Sequence, residues 1–303
     1  MTTSIGVVLT EHIVSGRLTG SLGQQKLEGE LLRYPSDPSE TEALIGVPAG
    51  EVYDLLASEI TPLIAASTEP VAAVGVAVPG IVRNGVVEDS PNLQQIKGVR
   101  LAEALGEVLH SQGISTPVYV LNDADAVAAG LAASGGHLDR LIRVWTLGNG
   151  IGFGRWPYAD GVWEGGHTVV SLDPKERFCG CGGLGHLEGI MGNRAMRLRF
   201  LDMEPEEIFL SAKQGDTRCR EFVDLWHRAL AAATASAIHI GGPGKFYYTG
   251  LNVGFLELPV VRGYLEAMVK MSPLQNYSLE VLKEDDAISI LGAGVAALRA
   301  QSW

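Results

Sequence analysis

Residues 71–80, VAAVGVAVPG, are small or branched apolar residues closed by Pro79 and Gly80. They read as a buried strand with an abrupt end. The segments around it supply helices. Residues 51–67 (EVYDLLASEITPLIAAS) and 99–112 (VRLAEALGEVLHSQ) repeat their apolar positions at helical spacing. Residues 117–134 (PVYVLNDADAVAAGLAAS) predict a strand that breaks at polar residues and continues as an Ala-rich helix. Upstream, residues 4–20 predict two short β-rich stretches. Downstream, residues 140–156 (RLIRVWTLGNGIGFGRW) predict two strands around a glycine-rich turn. A mostly helical region follows over residues 191–240. KFYYTG at 245–250 predicts another strand, and AISILGAGVAALRA at 287–300 predicts a small-residue helix suited to tight packing at a domain junction. Alternating strands and helices imply an α/β fold. The chain has no internal repeat, and no Pro/Ser-rich linker divides it, so any two domains are closely joined.

Composition removes several functional classes. The 303 residues carry a formal charge of −12, and no basic stripe is present. That argues against a nucleic-acid partner. No apolar stretch approaches the roughly 20 residues that cross a bilayer, and the N-terminus lacks the pattern of a signal peptide. Three cysteines build no disulfide framework. The expected setting is reducing and cytoplasmic, where paired cysteines point to metal rather than to a disulfide.

Two of those cysteines lie one residue apart in FCGCGGLGHLEG, residues 178–189. His167, Cys179, Cys181 and His186 form the set His-x11-Cys-x-Cys-x4-His. Two thiolates and two imidazoles suit tetrahedral Zn²⁺, and four protein ligands leave no open position, which makes the ion structural. The glycines between them let the chain turn tightly. The plainer reading is two buried cysteines and two unrelated histidines. Cys219, in a polar helical stretch, reads as an incidental thiol.

Two further segments carry candidate chemistry. LNDADA, residues 121–126, places Asn122, Asp123 and Asp125 where a buried strand gives way to a helix. Ligands of open α/β sheets bind at such strand ends, where a carboxylate can act as general base; Asn122 or Asp123 can equally cap the helix. TLGNGIGFG, residues 146–154, can cradle phosphate oxygens on bare backbone N–H groups or be an ordinary hairpin turn. It lacks the Lys-Ser/Thr ending of a P-loop.

Taken in order, these segments resemble the ROK family of bacterial sugar kinases and sugar-responsive repressors, over almost the whole chain. The family's Glu-x-Gly-His is met by Glu164-Gly165-Gly166-His167. Its Cys-x-Cys-Gly-x-x-Gly-Cys-x-Glu is met by CGCGGLGHLE, with His186 in place of the last cysteine. Its Asn-Asp-Ala-Asn is met by NDAD, with Asp125 in the final position. Pro91-Asn92-Leu93 and TLGNGIGFG meet two more motifs. The resemblance implies an actin-like (ribonuclease H-like) two-domain sugar kinase fold with a structural zinc loop. A smaller N-terminal α/β domain would take residues 1–121 plus 288–303; a larger one, residues 122–287, would carry the zinc loop. It also implies homodimers. Asp123 would be the general base that takes the proton from a sugar hydroxyl. Asn92, Asn122, Glu164, His167 and Glu188 would hold the sugar, with His167 also on zinc. Thr146, Gly148, Asn149, Gly150 and Gly250 would lie near the nucleotide, with ATP and Mg²⁺ as cosubstrate and cofactor.

The match fails in two places. The family's first phosphate motif, Asp-x-Gly-Gly-Thr, falls on Val8, Thr10, Glu11 and His12, so the metal-positioning Asp and both glycines are missing. The later Leu-Gly-Gly-Gly is reduced to Tyr248-Thr249-Gly250-Leu251. The expected activity is ATP-dependent phosphorylation of a hexose or amino sugar. The alternative is a catalytically impaired sugar-binding protein, a sensor or pseudokinase. The family's repressor role is disfavoured, because the chain is acidic and begins at its first strand with no DNA-binding segment ahead of it.

Overall fold

In a computed structural model of the chain, Val71–Val78 is a strand whose last six residues are buried. The structure describes residues 2–21, 23–37, 39–40, 42–158 and 163–300. The chain divides into two units: Met1–Ile142 with Gly154–Val162 and Asp285–Trp303, and Arg143–Phe153 with Trp163–Glu284.

The first unit is built on a five-stranded sheet. Strands β1 (Thr2–Leu9), β2 (Ile13–Gly20) and β3 (Lys26–Tyr34) form an antiparallel meander. Strand β4 (Val71–Val78) pairs parallel to β1, and β7 (Val118–Asn122) parallel to β4. Between β4 and β7 lies a small hairpin of β5 (Ile81–Arg83) and β6 (Val86–Asp89). Period-two alternation sorts β1 onto two faces. Ile5, Val7 and Leu9 pack with Val52, Leu56 and Ile60 of helix α1 (Ala49–Ala65) and with Leu101, Leu105 and Leu109 of α2 (Leu101–Ser111). Val8 points the other way, into a cluster with Val14, Ala77, Ala126, Ile290 and Ala293.

That second face is covered by the C-terminal helix, Asp286–Ala300, and by α3 (Asp123–Ser134). A Cβ on Gly6 would strike the Ile290 carbonyl, and one on Gly75 the Ala293 carbonyl. Helix backbone therefore lies directly on strand backbone. The small-residue helix is tightly packed, as its composition predicts, and its partners here are this sheet and α3. Strand β3 had no clear expectation: Glu28, Glu30 and Lys26 interrupt its apolar positions, and most of it is exposed.

The second unit has a four-stranded sheet in the order β11-β10-β8-β9, from Ser278–Val281, Lys245–Thr249, Ile142–Leu147 and Ile151–Trp156. Helices α4 (Glu188–Met191), α5 (Asn193–Arg199), α6 (Pro205–Lys213), α7 (Thr217–Gly241) and α8 (Leu258–Met268) accompany it. Trp145, Leu147, Trp226, Leu230, Phe246 and Tyr248 are central to its core. Cys219 is buried beside Met203. Among the described residues, no helix is long and apolar enough to cross a membrane.

Candidate functional site

In the first unit, β7 stops because Asn122 turns the chain into α3. Its Oδ1 accepts the N–H groups of Ala124 at 2.8 Å and Asp125 at 3.2 Å, a helix cap. Its Nδ2 donates to the Gly80 carbonyl at 2.8 Å. Gly80 holds a φ of +100°, and a Cβ there would strike the Asp89 carbonyl. Asn122 thus ties the end of β7 to the turn after β4, which itself lies against the end of β6, and Asn92 sits exposed on the loop that follows β6, anchored by buried Leu93. Asp123 opens α3, partly buried, with Oδ1 accepting the Ala124 N–H at 2.9 Å. The capping work falls chiefly to Asn122.

Asp125, in the same first turn of α3, is buried, and its Oδ1 accepts the Arg155 N–H at 2.8 Å. Burial raises its carboxyl from 3.8 to about 7, against the opposing Arg155 hydrogen bond, and the Asp123 charge adds to the rise.

Of the first-motif positions, Val8 lies in β1, and Thr10, Glu11 and His12 form the β1–β2 connection. Thr10 donates its N–H to the His12 carbonyl at 2.9 Å, and the Glu11 carbonyl accepts from Leu44 at 3.0 Å. Oγ1 of Thr10 lies 3.3 Å from Nδ1 of His12. Burial, then the Arg33 charge, lowers the His12 imidazole below its usual value. The Thr10 N–H is therefore committed to the turn, and Val8 offers methyl groups where the resemblance expects a carboxylate.

The second unit gathers Glu164, His167, Glu188 and the cysteine segment. Ligand atoms of His167, Cys179, Cys181 and His186 all lie within 4.8 Å of one another. Sγ of Cys181 is 3.3 Å from Sγ of Cys179 and 3.2 Å from Nδ1 of His186. Edges of this length suit a tetrahedron of two thiolates and two imidazoles, the donor set preferred by Zn²⁺. Burial pushes the Cys179 thiol up to about 12, against the Cys181 backbone N–H, with the Cys181 side chain and the Glu188 charge adding to the rise; a bound cation favours the thiolate instead.

The loop is laced down by its own backbone. Val170 donates to Gly185 at 2.8 Å, Leu187 to Thr168 at 3.0 Å, and Gly185 to Glu176 at 2.7 Å. The Glu176 carboxylate meets Arg199 in a two-point ion pair, one bond of 3.0 Å and one shorter. Neither residue carried a sequence signal, because a lone Glu and Arg at this separation match no motif.

Two carboxylates flank His167. Oε2 of Glu164 lies 3.4 Å from Nδ1, and Oε1 of Glu188 lies 4.0 Å from Nε2. Oε2 of Glu188 also accepts the Ile151 N–H at 3.1 Å, at the end of the glycine-rich turn. That turn is a tight hairpin in which Gly148 donates to the Gly150 carbonyl at 3.1 Å. Gly250, with φ +99°, lies against Leu147, where a Cβ would be 2.6 Å from its carbonyl oxygen. Thr146, Gly148, Asn149, Gly150 and Gly250 thus gather at one end of this unit's sheet. Carboxylates with an imidazole can accept from and donate to sugar hydroxyls, and an exposed glycine turn leaves backbone for an anion to approach.

A family model described as ROK family matches residues 21–299. The chain is 32% identical over 196 residues to a glucokinase of Pyrobaculum calidifontis, covering 60% of this chain and 62% of that one. It is 26% identical over 256 residues to a xylose repressor of Caldicellulosiruptor bescii, 73% of this chain and 61% of that one. The chain thus spans about three fifths of the length of these curated relatives. The fold is similar to that of a ROK hexokinase from Thermus thermophilus, with a TM-score of 0.79, 21% identity and 100% of both chains covered.

Proposed function

The chain belongs to the ROK family, and we propose that it transfers phosphate from ATP to a hydroxyl of a hexose or amino sugar. The observation that carries the proposal is the convergence of Glu164 and Glu188 on His167, itself one of the four residues of the Cys/His cluster. Polar side chains fixed in this way suit a ligand rich in hydroxyls. The likeness to a glucokinase over three fifths of each chain supports the reaction class.

Each residue has a part in this reading. Asp123, the first residue of α3, takes the proton of the acceptor hydroxyl. Asn92, Asn122, Glu164, His167 and Glu188 bind and orient the sugar. His167, Cys179, Cys181 and His186 hold Zn²⁺, which supplies rigidity to the loop carrying Glu188 and no chemistry of its own. The ATP phosphates lie along the turn at Gly148 to Gly150, with Thr146 and Gly250 beside it. Mg²⁺ finds no ligand at Val8, whose neighbours are apolar. The homodimer and the cytoplasmic setting belong to the same proposal.

Val8 favours a second reading. A buried valine at the metal-positioning site, with Glu11 beside it, suits a protein that binds a sugar without phosphorylating it, and one relative is a xylose repressor. A panel of hexoses and amino sugars with MgATP, read both by phosphorylation and by melting temperature, separates the two. Turnover supports the kinase; a melting shift without turnover supports the sensor; neither response overturns the sugar site.

A further inference from the structure

The carbonyl of Gly148, at the start of the glycine-rich turn, can only accept hydrogen bonds. Two donors reach it: the N–H of Asn193 at 3.1 Å and Nδ2 of Asn252 at 3.3 Å. The carbonyl therefore dictates that Asn252 turns its NH₂ inward. The same Nδ2 donates to Oδ1 of Asn193 at 2.6 Å. With its oxygen taken, Asn193 directs its own Nδ2 to Oδ1 of Asn149 at 3.2 Å. Asn252 and Asn193 are buried, at 2% and 8% exposure, whereas Asn149 is exposed at the tip of the turn. Three amides in series thus have a direction, with an acceptor-only carbonyl at the buried end and the Asn149 N–H groups at the exposed end.

We infer that Asn193 and Asn252 are positioning residues that hold the Asn149 amide with its N–H groups presented to the ligand. The turn then takes an acceptor-only group, namely the oxygens of a polyphosphate chain. The inference rests on the proposed function, in which this turn meets the phosphoryl donor, and adds which atoms of the turn donate and what fixes them. Neither Asn193 nor Asn252 touches the donor in this account.

Calorimetric titration of MgATP and of tripolyphosphate, with a saturating hexose where one shifts the melting temperature, tests it on the wild type, Asn149→Asp, Asn149→Ala and Asn193→Asp. Asn149→Asp keeps an oxygen for Asn193 and turns the other outward in place of the N–H groups. Asn193→Asp cannot donate, so Asn149 must turn its NH₂ inward and show its oxygen to the ligand. The expected loss is about tenfold in affinity for both phosphates in either Asp variant, the scale of a lost charge-assisted hydrogen bond. Asn149→Ala should lose less than Asn149→Asp. Should Asn193→Asp fail to fold, that comparison at the exposed tip decides. Equal losses, or unchanged binding in Asn193→Asp, overturn the inference and leave the phosphate role of the turn standing. A wild type that binds neither phosphate overturns both, while the hexose melting shift still reports on the sugar half.

Discussion

Asp125 sits in the first turn of α3, two residues beyond Asp123, and its carboxylate accepts the backbone N–H of Arg155 at 2.8 Å. This anchors the strand at Gly154–Arg155 to the first turn of the helix that begins with the proposed base. A Cβ on Gly154 would strike the Ala124 carbonyl, so the two backbones are in direct contact.

The raised carboxyl of Asp125 makes stability depend on pH. Its folded value of about 7 lies above the ordinary 3.8, so between those limits the folded chain binds the extra proton. Stability from this group is therefore full below about 3.8 and is lost as pH rises to about 7, with a ceiling of roughly 4 kcal/mol. The side-chain amide introduced by Asp125→Asn still accepts from Arg155 but carries no charge. The variant should melt above the wild type at pH 8, with the gap closing towards pH 5. A gap that is the same at both pH values contradicts this.

Val8→Asp places a carboxylate among Val14, Ala77, Ala126 and Ile290. Restoring the lost acidic residue alone should destabilise the fold by about 3 kcal/mol or more, the scale for an unpaired buried charge, rather than improve ATP binding. Denaturant unfolding and a MgATP titration check both halves. Unchanged stability with tighter ATP binding contradicts this.

The Cys/His cluster should carry about one Zn²⁺ per chain. Cys181→Ser should lose the metal and lower the melting temperature, because ion binding contributes to folding free energy. Elemental analysis of protein purified without chelator decides, and a wild type free of zinc contradicts the assignment.

Glu188 faces His167 and also accepts the Ile151 N–H. Glu188→Gln retains an oxygen for Ile151 but loses the charge offered to sugar hydroxyls. The hexose-induced rise in melting temperature should shrink, reflecting affinity weaker by about tenfold. A full response from Glu188→Gln removes the carboxylate from the sugar site.

Much of the layout was legible because it rests on local pattern. The apolar run at residues 71–78 becomes β4, and the polar break after Leu121 becomes the β7–α3 junction, with Asn122 as the cap. The Cys/His spacing was legible because two thiols in so short a segment have few other uses. Val8 could be recognised as a departure, but not as a core residue, until pairing placed it opposite Ala77 and beneath Ile290. Asn193, Asn252 and the Glu176–Arg199 pair were not legible. Their partners are distant in sequence, 59 residues away for Asn193 and Asn252, and an isolated asparagine has no pattern that separates a buried amide from a turn residue.

Sugar-dependent release of ADP, measured for the wild type and Asp123→Ala across hexoses and amino sugars, tests the central claim most directly. Wild-type protein should release ADP with at least one sugar, and Asp123→Ala should lower kcat at least about 10²-fold, the scale for loss of a general base, with sugar affinity changed far less. ADP release by Asp123→Ala at close to the wild-type rate, or none from the wild type with any sugar, would contradict it.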